Sequence, residues 1–280
     1  MPGGAIDHGQ RVVTVSQSLL ATFQTCPEQA RLELTSPVHK RNDALACGTA
    51  VHLHAAARLE GHSHATAYGR AFEWLDQESQ RDDFRWVKVK KPETMFAHFD
   101  ACVAGWEKHV LRQLPDNGLV ERTITAPLGE PDQDGWQVML QGTPDYVVEG
   151  IVWDWKTSGS EYNAYERSQW AIQPTSYTYL VSYEWEPTND FTYAVMVKPH
   201  GYVQLLDVER GPSDWAWLAR IAEGFLRMAR TMSDQPWPVI HTHALCDPKW
   251  CAYWDRCRGA YLAGEHNVSI RTKGVTNGRR

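Results

Sequence analysis

Asp154 and Lys156 stand one residue apart in the hydrophobic run IVWDWKT, and Asp145 closes the turn GTPD just upstream. Residues two apart on a strand share a face, so Asp154 and Lys156 point one way with Val152, while Trp153 and Trp155 point the other. A hairpin turning near Glu149 and Gly150 would bring Asp145 back beside Asp154. Two carboxylates a few ångströms apart repel unless a hard divalent cation lies between them, and oxygen ligands suit Mg²⁺ or Mn²⁺. A lysine beside such an ion can orient or deprotonate a water, or stabilise an anionic transition state at phosphorus. Alone, an Asp-x-Lys pair is more often a surface ion pair on an edge strand; the GTPD turn before it tips the balance toward chemistry.

The cysteines form a second constellation. ALCDPKWCAYWDRC places Cys246, Cys251 and Cys257 in one short segment rich in Trp and Tyr. Three close thiols imply a soft metal centre, and Cys26 in QTCPEQ, near the other end of the chain, is the candidate fourth ligand. Zinc is one occupant such a set suits, with His241 and His243 of HTHALC as substitute ligands. Cys47 and Cys102 lie in apolar helical surroundings and read as core residues.

These groups need a scaffold. Residues 16 to 114 carry apolar residues at three and four spacing and read as helices, the first starting after Ser16. Thr25 and Glu28 are spaced as a capping box for a second helix, with Pro27 in its first turn. LVERTITAPL, WQVMLQG, PDYVVEG and IVWDWKT are short, rich in β-branched and aromatic residues, and read as consecutive strands. YERSQWAIQPTSYTYLVSYEW reads as a helix kinked at Pro174, followed by strands DFTYAVMVKP and YVQLLDVE. A last helix puts Trp215, Leu218, Ile221, Phe225 and Ala229 on one face. The class is α/β: a central mixed sheet flanked by helices, with a cysteine-bearing segment at the C-terminal end.

The residues at these positions carry a resemblance. Asp145 with Asp154-Trp155-Lys156, in the wording GTPDYVVEG and VWDWKTSG, resembles the PD-(D/E)XK nucleases, and within them the RecB-like exonuclease branch. CGTAVHLHAA is similar to that branch's Gly-x-x-x-His helix motif, and QPTSY to its Gln-x-x-x-Tyr motif. The four motifs occur in the family's order across nearly the whole chain. The resemblance implies a restriction-endonuclease-like fold in which His52, Asp145, Asp154 and the main-chain carbonyl of Trp155 bind Mg²⁺ or Mn²⁺. It implies that Lys156 positions the attacking water and that Gln173 and Tyr177, one helical turn apart, hold the lysine and the backbone phosphate. His54 competes with His52 for the ligand role. Split one-plus-three cysteine ligation resembles the RecB-like nucleases that hold an iron–sulfur cluster, which implies a 4Fe-4S cluster on Cys26, Cys246, Cys251 and Cys257. Four residues rather than two separate Cys246 from Cys251, a departure from the commoner spacing. Such a cluster would act as a staple between the chain's ends.

On this reading residues 1–115 form an N-terminal helical region, 116–235 the nuclease core, and 236–280 the iron–sulfur segment with a basic tail. The implied activity is a metal-dependent DNA exonuclease acting on single-stranded ends, in recombination, repair or phage DNA metabolism, with some of the aromatic rings stacking bases. Two other functions fit the same residues: a CRISPR adaptation nuclease trimming spacers beside an integrase partner, and a non-catalytic iron–sulfur DNA-binding module. No Gly-x-x-x-x-Gly-Lys-Ser phosphate loop occurs, so the chain has no motor of its own. The chain has 280 residues and a net charge of −6, ordinary for a globular protein and not that of a polycation coating nucleic acid. KVKK at 88–91, Arg220 with Arg227 and Arg230, and the tail SIRTKGVTNGRR read as solvated faces. The sequence shows neither a signal peptide nor a long apolar span, which makes the cytoplasm the expected location and reduced thiols the expected cysteine state.

Overall fold

The computed structural model describes residues 4–38, 41–185, 187–232, 235–240, 245–248 and 250–259. His241, His243 and the tail SIRTKGVTNGRR lie outside the described residues.

Two mixed sheets, rather than a single central one, organise the chain. The first has the order β1-β2-β5-β4, from β1 (Gly4–Asp7), β2 (Val12–Ser16), β4 (Ile124–Pro127) and β5 (Gln137–Gly142). Its β2 and β5 run parallel and the other pairs antiparallel. Helical periodicity says nothing about β1 and β2, but VVTVS alternates, with Val13 and Val15 buried between half-exposed neighbours. The second sheet has the order β3-β6-β7-β8-β9, from β3 (Leu119–Val120), β6 (Tyr146–Val148), β7 (Ile151–Ser158), β8 (Asp190–Val197) and β9 (Tyr202–Glu209). Here β7 and β8 are parallel, and α6 (Ala164–Trp170) with α7 (Ile172–Glu184) makes the crossover between them.

LVERTITAPL is therefore two strands, not one. The chain breaks at Glu121, whose backbone is left-handed with φ of 41°, and β3 and β4 join different sheets. Pro174 likewise acts earlier than expected. A proline ring excludes the carbonyl of the residue four before it, here Trp170, so the helix ends there and restarts after an extended Ala171, leaving Pro174 in the first turn of α7.

The N-terminal helices are α1 (Gln17–Thr25), α2 (Pro27–Thr35), α3 (Asp43–Leu59), α4 (His64–Ser79) and α5 (Pro92–His109). Ser16 caps α1 by accepting from Leu19 N–H. The Thr25–Glu28 capping box does not form, because Cys26 is the residue that precedes α2 and Glu28 is recruited elsewhere. Buried Glu28 takes two hydrogen bonds from the Arg31 guanidinium and one from Trp237 N–H at 2.7 Å. Helix α8 (Pro212–Thr231) buries Leu218, Ala222, Phe225, Leu226 and Ala229, with Trp215 and Ile221 only half-buried at its flanks.

The five-stranded sheet is covered on both sides. One core, with Val152, Phe191, Tyr193 and Val195, packs beneath α1, α7 and α8; the other, with Trp153, Trp155, Ala194 and Met196, packs beneath α3 and α5. Burial on both faces accounts for β8 being buried without a break from Phe191 to Val197 and apolar there except for Thr192. Helix α5 approaches the β8–β9 turn closely enough that a Cβ on Gly105 would overlap the Gly201 carbonyl, and Gly201 itself has φ of 67°. Among the described residues no helix is long and apolar enough to cross a membrane.

Candidate active site

The β6–β7 hairpin turns at Glu149 and Gly150, with φ of 51° and 76°, the left-handed pair that a tight two-residue hairpin requires. Its register pairs Tyr146 with Trp153, so Asp145, one residue before β6, lies opposite Asp154. Asp145 Oδ2 accepts from Trp155 N–H at 2.6 Å, which locks that carboxylate against the strand carrying Asp154. Gly142 makes room for the site's outer wall, since a Cβ there would sit 2.8 Å from the Tyr177 ring.

Helix α3 crosses this strand and delivers His52. Its Nδ1 lies 3.0 Å from Asp145 Oδ1 and its Nε2 2.9 Å from the Trp155 carbonyl oxygen. Both partners are acceptors, so the ring that satisfies both is doubly protonated. Burial disfavours the imidazolium, the Asp145 carboxylate outweighs it, and the His52 pKa is raised. His54, the competing histidine, faces away: its Nε2 lies 3.0 Å from Glu107 Oε1, in a cluster with Arg58 and His64.

Asp154 is buried, and burial pushes its pKa up to about 6 against the pull of Lys156. Lys156 Nζ lies 2.5 Å from Asp154 Oδ2, and Gln173 Nε2 donates to Asp154 Oδ1 at 2.7 Å. Burial opposes the charge on Lys156 as well, but Asp154 and Asp145 outweigh it and raise its pKa, so the amine stays an ammonium. Tyr177 is buried on the same face of α7 as Gln173, and its phenol is pushed up by burial and then by Asp154.

All the residues expected from the motifs thus converge on one end of β7. A buried carboxylate on Lys156, a second on an imidazolium, and a main-chain carbonyl turned toward the same ring form a donor set that fits Mg²⁺ or Mn²⁺. One neighbour was not anticipated. Glu121 follows β3, donates its N–H to the Asp145 carbonyl at 3.0 Å, and brings its carboxylate within 4.8 Å of the His52 and Asp145 ligand atoms. Partial desolvation and the Asp145 charge push its pKa upward. No spacing rule marks a lone glutamate at a break between strands.

Cys26, Cys246, Cys251 and Cys257 line one cavity with Leu32, Val239, Ile240, Leu245, Tyr253 and Trp254. The two ends of the chain meet here: Glu28 N–H donates to Pro238 O at 3.3 Å, and Val38 N–H donates to the Tyr253 hydroxyl at 3.1 Å. Cys26 sits in an extended bend between α1 and α2 and makes no side-chain cap, which leaves its thiol to the cavity. Cys47 and Cys102 are buried in the helical core, and burial pushes the Cys102 thiol up to about 12. Of the basic groups, Arg230 is spent on Asp132 and Asp134, while Arg220 and Arg227 are exposed.

This sheet-and-hairpin arrangement defines a nuclease fold, and a family comparison agrees: the chain belongs to the PD-(D/E)XK nuclease superfamily, whose model matches residues 14–258. The crystal structure of a Eubacterium rectale protein named "Putative exonuclease" is similar in fold, with a TM-score of 0.55 and 15% identity over 93% of this chain and 90% of that one. The crystal structure of SSO0001 aligns at a TM-score of 0.33 and 13% identity, over 77% of this chain and 86% of that one. No curated protein sequence matches the chain.

Proposed function

We propose that the chain is a Mg²⁺- or Mn²⁺-dependent DNA exonuclease of the RecB-like kind, acting on single-stranded ends. The observation that carries this is the single hairpin that sets Asp145, held by His52, opposite Asp154, held by Lys156 and Gln173. Asp145, Asp154, the Trp155 carbonyl and His52, the last as a neutral imidazole after giving up one ring proton, would hold the ion, which when bound lowers the pKa of water and neutralises charge on the phosphate. Lys156, kept protonated by Asp154, is suited to orienting the attacking water and stabilising charge at phosphorus rather than to acting as a base. Gln173 fixes the rotamer of Asp154, and the Tyr177 phenol is buried within electrostatic reach of Asp154 and Lys156.

The four-cysteine cavity supports an iron–sulfur cluster as a second cofactor. Of the two occupants a four-cysteine set suits, the nuclease family context and the split of one cysteine against three favour a four-iron cluster, in which each cysteine binds a different iron, over zinc.

End-labelled single- and double-stranded DNA incubated with purified protein and Mn²⁺, beside a chelator control, tests the activity. Mononucleotide release from single strands that the chelator stops is the expected result. Cleavage that persists in chelator, or none with either ion, overturns it.

A further inference from the structure

Asp145 stands in the middle of a cross-strand row of three carboxylates. Pairing of Val120 with Tyr146 sets Glu121 opposite Asp145 on one side, and pairing of Tyr146 with Trp153 sets Asp154 opposite Asp145 on the other. The hydrogen bond from Glu121 N–H to the Asp145 carbonyl at 3.0 Å continues the first pairing by one residue. Neighbouring strands lie ~4.8 Å apart, and like charges set directly opposite one another destabilise a sheet. Two of the three are compensated, Asp154 by Lys156 and Asp145 by His52. The Glu121 carboxylate has no ion pair among the described residues.

The backbone adds to this tension. Glu121 has φ of 41°, a region that disfavours any side chain with a Cβ and that glycine enters freely. The fold therefore holds an exposed carboxylate, without an ion pair of its own, beside His52 and Asp145, in a conformation that its own residue type resists. A divalent cation removes the conflict, because it converts mutual repulsion among carboxylates into shared ligation.

We infer that Glu121 is a further ligand for the divalent cation, alongside His52 and Asp145. The inference rests on the metal-dependent reading proposed above and adds a residue to it. A third carboxylate shifts the donor set toward hard oxygen and raises its negative charge, which tightens binding of Mg²⁺ and Mn²⁺ relative to a site with two.

Mn²⁺ titrated into metal-free protein without DNA, with the electron paramagnetic resonance of unbound Mn²⁺ giving Kd, tests this apart from turnover. Glu121→Gln, which keeps size and backbone, should weaken Mn²⁺ binding by about tenfold or more. Glu121→Gly should weaken it equally while leaving the metal-free melting temperature at or above that of the unaltered chain, since glycine relieves the left-handed backbone. A purely structural Glu121 gives the opposite pattern, with a lowered metal-free melting point and Mn²⁺ affinity unchanged within about twofold. That result overturns the inference when Asp145→Asn still abolishes Mn²⁺ binding. Should Asp145→Asn also bind Mn²⁺ normally, the metal-dependent reading itself falls, and the role of Glu121 with it.

Discussion

Lys156 Nζ lies 2.5 Å from Asp154 Oδ2 in the middle of β7, where the strand passes from buried to half-buried, so the lysine and the carboxylate are held as one unit. Removing either member strands the other. Asp145→Ala, Asp154→Ala and Lys156→Ala should each lower DNA cleavage by about 10²-fold or more, the scale of losing one group that stabilises a transition state. Single-turnover cleavage with Mn²⁺ and circular dichroism for the fold measure this. Near-normal turnover in Lys156→Ala would remove the lysine from the mechanism.

Gln173 supplies a graded test of the same unit. Its amide fixes Asp154 Oδ1 at 2.7 Å without belonging to the donor set. Gln173→Ala should therefore reduce cleavage by roughly 10- to 100-fold, the usual effect of losing a group that orients a ligand, with little change in melting temperature. Gln173→Glu should do worse than alanine, because it sets a second anion against Asp154. Equal rates for the two variants would show that the amide does not act through the carboxylate.

Much of this site was legible because its spacing rules are local. A Glu-Gly turn between two β-branched runs specifies a hairpin, and strand alternation then puts Asp154 and Lys156 on one face, as found. What escaped depends on contacts the sequence does not index. Glu121 meets Asp145 only because β3 pairs with β6 across a long separation, and a glutamate does not advertise a left-handed backbone. Thr25 and Glu28 have capping-box spacing, yet Glu28 is drawn off to Arg31 and the Trp237 amide, partners that the fold supplies later. Pro174 marked a helix break correctly in kind, but its ring acts four residues upstream, at Trp170.

Glu107 gives a pH-dependent prediction in the helical region. Burial alone would raise its pKa, but hydrogen bonds from Arg58, His64 and His54 hold it down at about 2. A carboxylate with a depressed folded-state pKa contributes stability above its unfolded pKa and loses it as pH falls toward the folded value. Glu107→Gln should cost about 1–3 kcal/mol at pH 7, because it leaves Arg58 and the buried His54 poorly matched. In urea unfolding the gap between this variant and the unaltered protein should narrow as pH falls below about 4.5, toward about 2. A gap that stays constant over that window would mean the charge on Glu107 contributes nothing.

The cysteine cavity tests how the molecule is closed. Cys26 leaves the bend between α1 and α2, while Cys246, Cys251 and Cys257 come from the far end of the chain, and all four line one space. If they share a cluster, the ligation closes a loop of nearly the whole sequence, which restricts the unfolded chain far more than a local site would. Cys26→Ser should then lower the melting temperature as much as Cys251→Ser, each by removing one thiolate from the same centre. Cys47→Ser and Cys102→Ser alter only the packing of a small buried side chain and should cost less. Anaerobically purified protein should be brown and hold about four irons per chain, and Cys26→Ser should lose most of that iron. Stoichiometric zinc without iron would point to a four-cysteine zinc site instead. Full iron and an unchanged melting point in Cys26→Ser would separate Cys26 from the centre and leave the meeting of the two ends to Glu28, Trp237 and Tyr253.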